Sequence, residues 1–427
     1  MYSRCGQLVS RLVRGSAATG RRRWVSTESK KYVAMWGNGD FGRLGLGDFS
    51  SQWKPTVCER LKGENLSAVS CGGAHTLFLT EDGRVFATGM NDFGQLGIPG
   101  IMDHTPEPCE VAGFGEKVVK ISAGYRHSAA ITDDGALYMW GDNSSGQLGL
   151  GKKAKNIVAI PSIVDSLNGF HMEMVALGSE HSVAITENGD MLSWGAGGSG
   201  QLGHGHHPSI LSFLKSSREY TPRLVRTLEG VKVRKIAAGL LHSACIDENG
   251  SVFLFGQRTT DKLGFAEANI VSSPSAIKLP SSQQVSCGAY HTCVVTRGGE
   301  LYTWGTNENG CLGLGYKNLA RVPERVEGKL LQHAVSEVSC GWKHAAAICD
   351  GNIFTWGWGG SYGTFSEDAH SSGGQLGHGT DFDYFEPTMV NFGQSVNVLH
   401  VSSGFNHTAS AAAGACYGGQ SNVKKLH

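Results

Sequence analysis

A unit of roughly fifty residues returns seven times along this 427-residue chain, and this repetition limits the possible folds more than any other feature. The tract Val118–Gly151, VVKISAGYRHSAAITDDGALYMWGDNSSGQLGLG, contains the whole unit. Periods of this length are typical of propellers and solenoids. The most regular position of the unit is a histidine, which recurs as His75, His127, His181, His242, His291, His344 and His407.

Each unit has the pattern of a small antiparallel sheet. Apolar and polar residues alternate on either side of Asp134-Gly135, and Asp, Asn and Gly pairs stand at the equivalent positions of other copies. Such pairs predict two-residue hairpin turns with positive φ angles. A small sheet cannot bury both of its faces alone, whereas radial stacking around an axis covers them and protects the edges. The chain is therefore predicted to be an all-β, seven-bladed β-propeller.

The two ends of the repeat region predict how the ring closes. The segment Tyr32–Gly45 (YVAMWGNGDFGRLG) is the second half of a unit, and His400–Gly414 (HVSSGFNHTASAAAG) is a first half. We expect Tyr32–Trp36 to pair with the strand near Thr408–Ala413, as an N-to-C-terminal strand clasp that completes the seventh blade. The propeller domain is accordingly assigned to residues 28–414 and a C-terminal tail to residues 415–427.

Several short motifs suggest chemistry that the repeat explains better. Gly37–Gly42 matches the G-x-G-x-x-G fingerprint of dinucleotide binding, but it is one copy of the repeat and no βαβ unit follows it. His204, His206 and His207 suggest zinc, yet no acid or cysteine with ligand spacing lies nearby. The sequence shows no nucleophile and base in a catalytic arrangement. We therefore predict no cofactor, no metal and no enzymatic activity.

The cysteines and the hydropathy of the chain argue against a disulfide-rich protein and against a membrane-spanning one. The eleven cysteines form no C-x-x-C pair, and their odd number favours reduced, mostly buried thiols over a disulfide framework. No run of 18 or more apolar residues occurs in the chain. A membrane-spanning helix is therefore not expected.

Residues 1–27 have a composition of their own. They contain six arginines, several Ser and Thr, and no acidic residue. This composition predicts a mitochondrial transit peptide and hence a location in the mitochondrial matrix, with a basic nucleic-acid-binding arm as the alternative. Without these residues the chain has 31 basic and 37 acidic side chains, a net charge of −6. RNA contact is then expected only indirectly or through a local patch.

Positions that differ between copies are the candidates for specific binding. The seven equivalent histidines are predicted to be structural, as buried imidazoles that bond backbone groups of the blade turns, because catalysis would need one of them rather than seven. The two residues before each histidine vary, and propeller geometry gathers such loops at one end of the central channel. Solvated loop residues that merely differ are the alternative. The predicted partner-binding face consists of large aromatic and charged members of these pairs: Tyr125, Arg126, Glu180, Tyr290, Trp342, Lys343 and Phe405.

Two insertions lengthen individual copies of the repeat. They span His206–Tyr220 and Trp358–Gly373. Insertions in repeat proteins often lie on one face and build partner-specific surface. We expect these two segments to contribute to partner choice.

The coupled G-x-x-H, D-G, W-G and G-Q-L-G elements, complete in Ile121–Gly151, resemble the repeat of the regulator-of-chromosome-condensation family of seven-bladed propellers. The resemblance covers residues 32–414. It implies the fold, and the arginine-rich leader makes the chain similar to the plant mitochondrial group of RCC, UV-B-receptor and exchange-factor-like proteins. The photoreceptor branch is characterised by G-W-R-H-T motifs, which only Gly341–Ala345 (GWKHA) approaches, so light sensing is not expected.

The resemblance implies two functions of different classes. Mitochondrial members of the family support organellar RNA processing, ribosome assembly and respiratory-complex biogenesis. This implies a protein-interaction platform whose partners are mitochondrial RNA-processing or assembly factors. The founding member exchanges guanine nucleotide on a small GTPase. The alternative is therefore an exchange factor for an organellar small or dynamin-like GTPase, with Glu180 and Lys343 as contributors.

Overall fold

The structure is a computed structural model that describes residues 31–101, 103–205, 218–257, 270–360 and 373–414. The predicted transit peptide, the C-terminal tail and most of both insertions lie outside the described residues. Among the described residues, no helix has the length and apolar character that crossing a membrane requires. Nine free cysteines are described, and all except Cys109 are buried, in agreement with the prediction of reduced thiols.

The described residues form seven four-stranded antiparallel sheets arranged as propeller blades, so the predicted fold is confirmed. The innermost strands are β3 Leu66–Cys71, β7 Val118–Ala123, β11 Met172–Leu177, β15 Val233–Ala238, β19 Ser282–Cys287, β23 Val335–Cys340 and β27 Asn397–Ser403. The second strands, each beginning at the repeat histidine, are β4 His75–Thr80, β8 His127–Thr132, β12 His181–Thr186, β16 His242–Asp247, β20 His291–Thr296, β24 His344–Cys349 and β28 His407–Ala413.

The third strands, which carry the aromatic-glycine step, are β1 Lys31–Gly37, β5 Val85–Met90, β9 Leu137–Asp142, β13 Met191–Ala196, β17 Val252–Gln257, β21 Leu301–Gly305 and β25 Asn352–Gly357. The outer strands are β2 Gln52–Val57, β6 His104–Val111, β10 Ile157–Ile163, β14 Arg218–Leu224, β18 Ile270–Ile277, β22 Ala320–Arg325 and β26 Tyr384–Met389. Short 3-10 turns span Asp40–Gly42, Glu59–Leu61, Asp165–Leu167, Arg226–Leu228 and Gly328–Gln332. We number the blades 1 to 6 from β3–β6 to β23–β26.

Blade 7 joins the two ends of the described chain, as predicted. Its strand order is β2-β1-β28-β27. Tyr32 pairs with Ala412 and Trp36 pairs with Thr408 in an unbroken antiparallel register. Trp36 is fully buried in the apolar layer between blades 6 and 7. The clasp therefore provides both backbone pairing and core side chains to the ring.

The hairpin turns differ from the predicted two-residue type in most blades. In the β8–β9 turn, Gly135 has a φ of 82° while Asp134 does not have a positive φ. The Gly135 amide bonds the Thr132 carbonyl, which is the pattern of a three-residue turn that ends in a left-handed glycine. The predicted two-residue turn with two positive φ angles occurs at Asp350-Gly351, where the φ angles are 49° and 73°. Turn residues alone do not distinguish these types, because both place glycine at a positive φ.

Adjacent blades are joined at a buried junction where four repeat elements meet. Between blades 2 and 3, His127 Nε2 lies 3.2 Å from Ser182 Oγ. The Ser182 hydroxyl donates to the Gln147 carbonyl at 2.8 Å, and Trp194 Nε1 donates to the same oxygen at 2.8 Å. This junction therefore links four elements of the repeat: the histidine, the residue after the next blade's histidine, the G-Q-L-G element and the W-G tryptophan.

The contact between histidine and hydroxyl repeats around the ring with one exception. Six of the seven histidines place Nε2 against a Ser or Thr hydroxyl of the following blade, at 2.9–3.2 Å. His291 faces Ala345 at the equivalent position, and its Nε2 has no hydrogen-bond partner among the described residues. The sequence predicted a structural role with backbone groups as partners. The structure instead gives these rings side-chain hydroxyls on the next blade.

The hydroxyl contacts determine the protonation state of the rings. Because the Ser182 hydroxyl donates its proton to a carbonyl, it accepts from His127 Nε2, and Nδ1 is the unprotonated nitrogen. Burial lowers the pKa of His127 and His181 to about 3 and that of His242 to about 4. The pKa values of His75, His344 and His407 are lowered for the same reason. These six rings are neutral in the fold.

Close packing explains why a glycine stands three residues before each histidine. A Cβ added to Gly178 would lie 2.3 Å from His181 Cε1 and 2.5 Å from the Gly239 carbonyl oxygen. Real Cβ atoms do not approach other atoms so closely. The glycine therefore makes room for the imidazole of its own blade and for the backbone of the next blade.

Deletion of residues 31–45 should open the ring, because it removes β1 and its buried tryptophan. Loss of the Trp36 side chain alone costs about 3–5 kcal/mol in a packed core. We expect a free energy of unfolding reduced by more than this amount and a broader thermal transition, measured by calorimetry and urea denaturation. Lys31→Ala is the control, since its exposed pair with Glu81 contributes about 1 kcal/mol or less. A deletion variant that melts like the full chain would contradict the role of the clasp.

Mild acid should destabilise the propeller through the neutral histidines. The unfolded chain takes up protons below about pH 6.5, while the six buried rings stay neutral down to their lowered folded-state pKa values. The free energy of unfolding therefore falls as pH drops from about 6.5 towards 4, by about 1.4 kcal/mol per pH unit for each histidine. Urea titrations between pH 7 and 5 should show this slope, and His181→Gln should reduce it by one histidine's share. Equal slopes in both proteins would contradict the assignment.

Candidate functional site

The innermost strands of all blades surround a central channel with a volume of about 470 Å³. The variable pairs follow these strands directly, so their side chains ring one end of the channel. Tyr125, Leu240, Trp342 and Phe405 line its mouth. Propeller geometry thus brings together residues that lie far apart in the sequence.

Four aromatic rings from three blades form a continuous contact at this mouth, which we call the aromatic arc: Tyr125, Phe405, Trp342 and Trp358. Phe405 stacks on Trp342 with ring centres 4.1 Å apart and planes 16° apart. The ring centres of Tyr125 and Phe405 are 5.5 Å apart, and Trp358 meets Trp342 edge-on with ring centres 5.8 Å apart. The first three rings are partly exposed, while Trp358 is buried and supports them.

A glycine allows the arc to cross blade 1. Tyr125 belongs to blade 2 and Phe405 to blade 7, and the variable pair between them begins with Gly73. A Cβ on Gly73 would lie 2.3 Å from the Tyr125 carbonyl oxygen and 2.8 Å from Tyr125 Cδ2. The absence of a side chain at residue 73 therefore lets the tyrosine ring reach Phe405.

Cations lie over the rings at both ends of the arc. The Arg126 guanidinium carbon is 5.0 Å from the centre of Tyr125 and 4.5 Å from that of Phe93. Lys343 Nζ is 4.9 Å from the centre of Trp342 and 5.9 Å from that of Trp358. Such cation–π contacts orient the charged groups and hold them at the surface of the arc.

A third cation lies beneath the mouth. Arg43 occupies the glutamine position of its G-Q-L-G element and is 5% exposed. Its guanidinium donates to the carbonyls of Asp40 and Gly73. Burial lowers the pKa of Arg43 to about 10, against the opposing charge of Asp40, so the group stays cationic at neutral pH. Three cations, Arg43, Arg126 and Lys343, therefore lie at or beneath the arc.

The remaining two predicted residues lie apart from the arc. Glu180 is exposed and accepts a hydrogen bond from Ser145 Oγ at 3.1 Å. Tyr290 lines a smaller cavity of about 190 Å³ together with Trp342 and Lys343. Of the seven predicted residues, the structure thus brings Tyr125, Arg126, Trp342, Lys343 and Phe405 into one contiguous surface.

The prediction missed Arg43, Gly73, Phe93 and Trp358, which contact or support the arc. Sequence signals for three of them exist. Trp358 follows the expected W-G step as a second tryptophan, and Arg43 replaces a glutamine that most other copies carry. Gly73 is the smallest member of any variable pair. Which side chains contact these three residues is seen only in the folded ring.

Farther along the channel wall, His400 and Glu337 form an ion pair. His400 Nδ1 lies 2.7 Å from Glu337 Oε1, and its Nε2 donates to the Val69 carbonyl at 3.1 Å. Burial acts against the charged ring, but the hydrogen bond and charge of Glu337 raise the pKa of His400. Since the carbonyl can only accept, Nε2 carries a proton. This pair links the inner strands of blades 6, 7 and 1.

The serine–histidine contacts between blades resemble a nucleophile with its base, but their chemistry differs. Ser128 is fully buried, and its hydroxyl proton goes to the Gln95 carbonyl at 2.7 Å rather than to His75. The histidine is the donor in this pair, so it cannot remove the hydroxyl proton. These contacts are structural.

The fold and the channel mouth define a class of protein: a seven-bladed propeller that presents an aromatic and cationic surface at one end of its channel. The RCC1-like domain matches residues 32–410 of this chain. The chain therefore belongs to the RCC1-like domain family, in agreement with the resemblance found in its repeats.

Proteins of known sequence are similar to this chain. The chain is 32% identical to the ultraviolet-B receptor UVR8 of Arabidopsis thaliana over 387 residues, which are 90% of this chain and 71% of the receptor. It is also 32% identical to the human E3 ubiquitin-protein ligase HERC2 over 276 residues, or 64% of this chain. That match spans 6% of HERC2.

Solved structures agree on the fold. Human WBSCR16 superposes with a TM-score of 0.76 at 24% identity and covers 90% of this chain and 99% of its own. Prp20p of Saccharomyces cerevisiae, whose structure was described with its binding to Gsp1p and histones, gives a TM-score of 0.76 at 22% identity. It covers 91% of this chain and 92% of Prp20p. At these identities the likeness extends to the fold alone.

Phe405→Ala should disconnect the arc without unfolding the blade, because Phe405 joins Tyr125 to Trp342 and is partly exposed. We expect a loss of about 1–3 kcal/mol in the free energy of unfolding and a red shift of Trp342 fluorescence. The Trp342 signal is obtained as the difference from a Trp342→Phe background. Leu240→Ala, at the equivalent position of blade 4 and outside the arc, should leave this signal unchanged. An unchanged Trp342 spectrum in Phe405→Ala would show that the stacking is absent.

Proposed function

We propose that this protein is a non-enzymatic interaction platform whose aromatic arc binds a partner protein. The arc carries this proposal: three partly exposed aromatic rings are held side by side by stacking, with Arg126 and Lys343 fixed over them. Trp, Tyr and Arg dominate the energetics of protein interfaces, and prior ordering of their side chains reduces the entropic cost of binding. The complementary partner surface combines apolar side chains with carboxylates.

We further propose that the platform works in the mitochondrial matrix, in RNA processing such as transcript splicing and in respiratory-complex or ribosome biogenesis. The arginine-rich, acid-free segment of residues 1–27 supports the location. The resemblance to mitochondrial members of the family supports the task. The excess of acidic residues in the remainder of the chain favours contact with RNA through protein partners.

The test is affinity purification of the tagged full-length protein from isolated mitochondria, with bound proteins identified by mass spectrometry and bound RNA by sequencing. Trp342→Ala combined with Arg126→Ala removes one stacked ring and one cation from the arc. We expect RNA-processing or assembly factors with the wild type and at least a tenfold depletion with this variant, equivalent to about 1.4 kcal/mol. Thermal unfolding verifies that the variant is folded.

Val322→Ala combined with Lys278→Ala is the matched control, because both residues are exposed and lie in blades 5 and 4 away from the arc. This control should retain the partners. Equal recovery with all three proteins would refute the arc as the binding surface. A nucleotide-free GTPase as the main partner, with nucleotide release accelerated by catalytic amounts of the protein, would replace the platform by the exchange-factor function. Absence of the protein from mitochondria would refute the location.

A further inference from the structure

The junction between blades 5 and 6 lacks the hydroxyl that is present at the six other junctions, and it carries a cysteine in its G-Q-L-G element. Ala345 replaces the Ser or Thr that elsewhere bonds the histidine of the preceding blade. Cys311 replaces the glutamine of the G-Q-L-G element, although its carbonyl still accepts from Trp356 Nε1 at 2.9 Å. His291 consequently has a buried Nε2 without a hydrogen-bond partner among the described residues. An unpaired nitrogen of this kind is costly in a protein core.

Two further thiols lie at this junction. The ligand atoms of His291, Cys293 and Cys340 all lie within 4.8 Å of one another, and all three residues are buried. Cys293 is on β20 of blade 5 and Cys340 is on β23 of blade 6, so the cluster joins two blades. In the described part of the chain this is the one group of at least three such residues that close together.

We propose that His291, Cys293 and Cys340 form a zinc-binding site between blades 5 and 6. One imidazole and two thiolates are a donor set that suits Zn²⁺, which binds sulfur at about 2.3 Å and nitrogen at about 2.0 Å. Small side-chain rotations bring atoms within 4.8 Å of one another to such a shared centre. The metal would give His291 the partner that the hydroxyl provides at the other junctions.

A cavity provides access and room for a fourth ligand. It has a volume of about 190 Å³ and is lined by His291 and Cys311, together with Tyr290, Trp342 and Lys343 from the channel mouth. Cys311 is shorter than the glutamine found in most copies. Its thiol, which donates to the Thr306 carbonyl at 3.0 Å, is a third sulfur on the cavity side of the cluster. Entry from the channel mouth therefore does not require the blades to separate.

The blade itself does not require thiols at these positions. The residue two places after the repeat histidine is Cys293 here but Ala129, Ala244 and Ala409 in blades 2, 4 and 7. The residue four places before the histidine is Cys340 here but Ala123 in blade 2. Cys71 occupies this same position in blade 1, where Thr76 gives the preceding blade's His407 the hydroxyl that His291 lacks. Cys340→Ala and Cys71→Ala therefore form a matched pair.

The experiment measures zinc bound to the full-length protein, purified with a non-thiol reductant, incubated with Zn²⁺ and desalted. Elemental mass spectrometry should find about one zinc per wild-type chain. Cys293→Ala and Cys340→Ala should weaken binding by more than about 100-fold, since loss of an outer-shell contact alone costs about 10–100-fold. Cys71→Ala should bind zinc like the wild type. Co²⁺ in place of Zn²⁺ should show a thiolate charge-transfer absorption that both cluster variants lose.

Ala345→Ser provides a test that keeps every thiol. It gives His291 Nε2 the hydroxyl partner present at the six other junctions, so zinc affinity should fall while thermal stability without zinc is retained or increased. This variant also decides the outcome if a cysteine variant fails to fold. A wild-type chain without bound zinc, equal binding by Cys340→Ala and Cys71→Ala, or a Cys293–Cys340 disulfide in place of zinc would overturn the proposal.

Discussion

In the described part of the ring, each blade junction depends on one carbonyl oxygen. At the junction of blades 2 and 3, the Gln147 carbonyl accepts from the hydroxyl of Ser182 and from the indole of Trp194, and Ser182 in turn accepts from His127. All these groups are buried, so each missing partner would leave an unpaired polar group in the core. The four motif elements are therefore coupled in the sequence because they meet at one point in space. Burial at these junctions also lowers the pKa of the imidazoles and keeps them neutral.

Two blade junctions depart from this pattern of residues. Arg43 replaces a junction glutamine and places a buried cation beneath the channel mouth. Cys311 and Ala345 replace two junction residues and leave His291 among thiols. Both junctions adjoin the aromatic arc, and the cavity beside His291 is lined in part by Trp342 and Lys343. The regular junctions pair their buried hydroxyl and indole groups, whereas these two place a cation and an unpaired imidazole nitrogen in the core.

Sequence reasoning predicted most of the architecture but only part of the site. The closure by β1 and β28 followed from two half-units at the ends, because an incomplete sheet must find its missing strands. Five of the seven predicted contact residues lie in one surface, since the variable pairs occupy equivalent places in every blade. The turn type was wrong in most blades, because glycine satisfies both alternatives. Trp358 was missed because its role depends on a ring from the preceding loop, Trp342.

The sequence by itself determined the number of blades, the strand pattern and the closure of the ring, since periodic local patterns encode local sheets and their stacking. It also marked which positions vary. Only the tertiary structure decided which variable residues meet: Tyr125 reaches Phe405 across Gly73, and Cys293 faces Cys340 across a blade junction. Such contacts join residues far apart in the chain, at distances set by blade rotation and side-chain size rather than by local propensity.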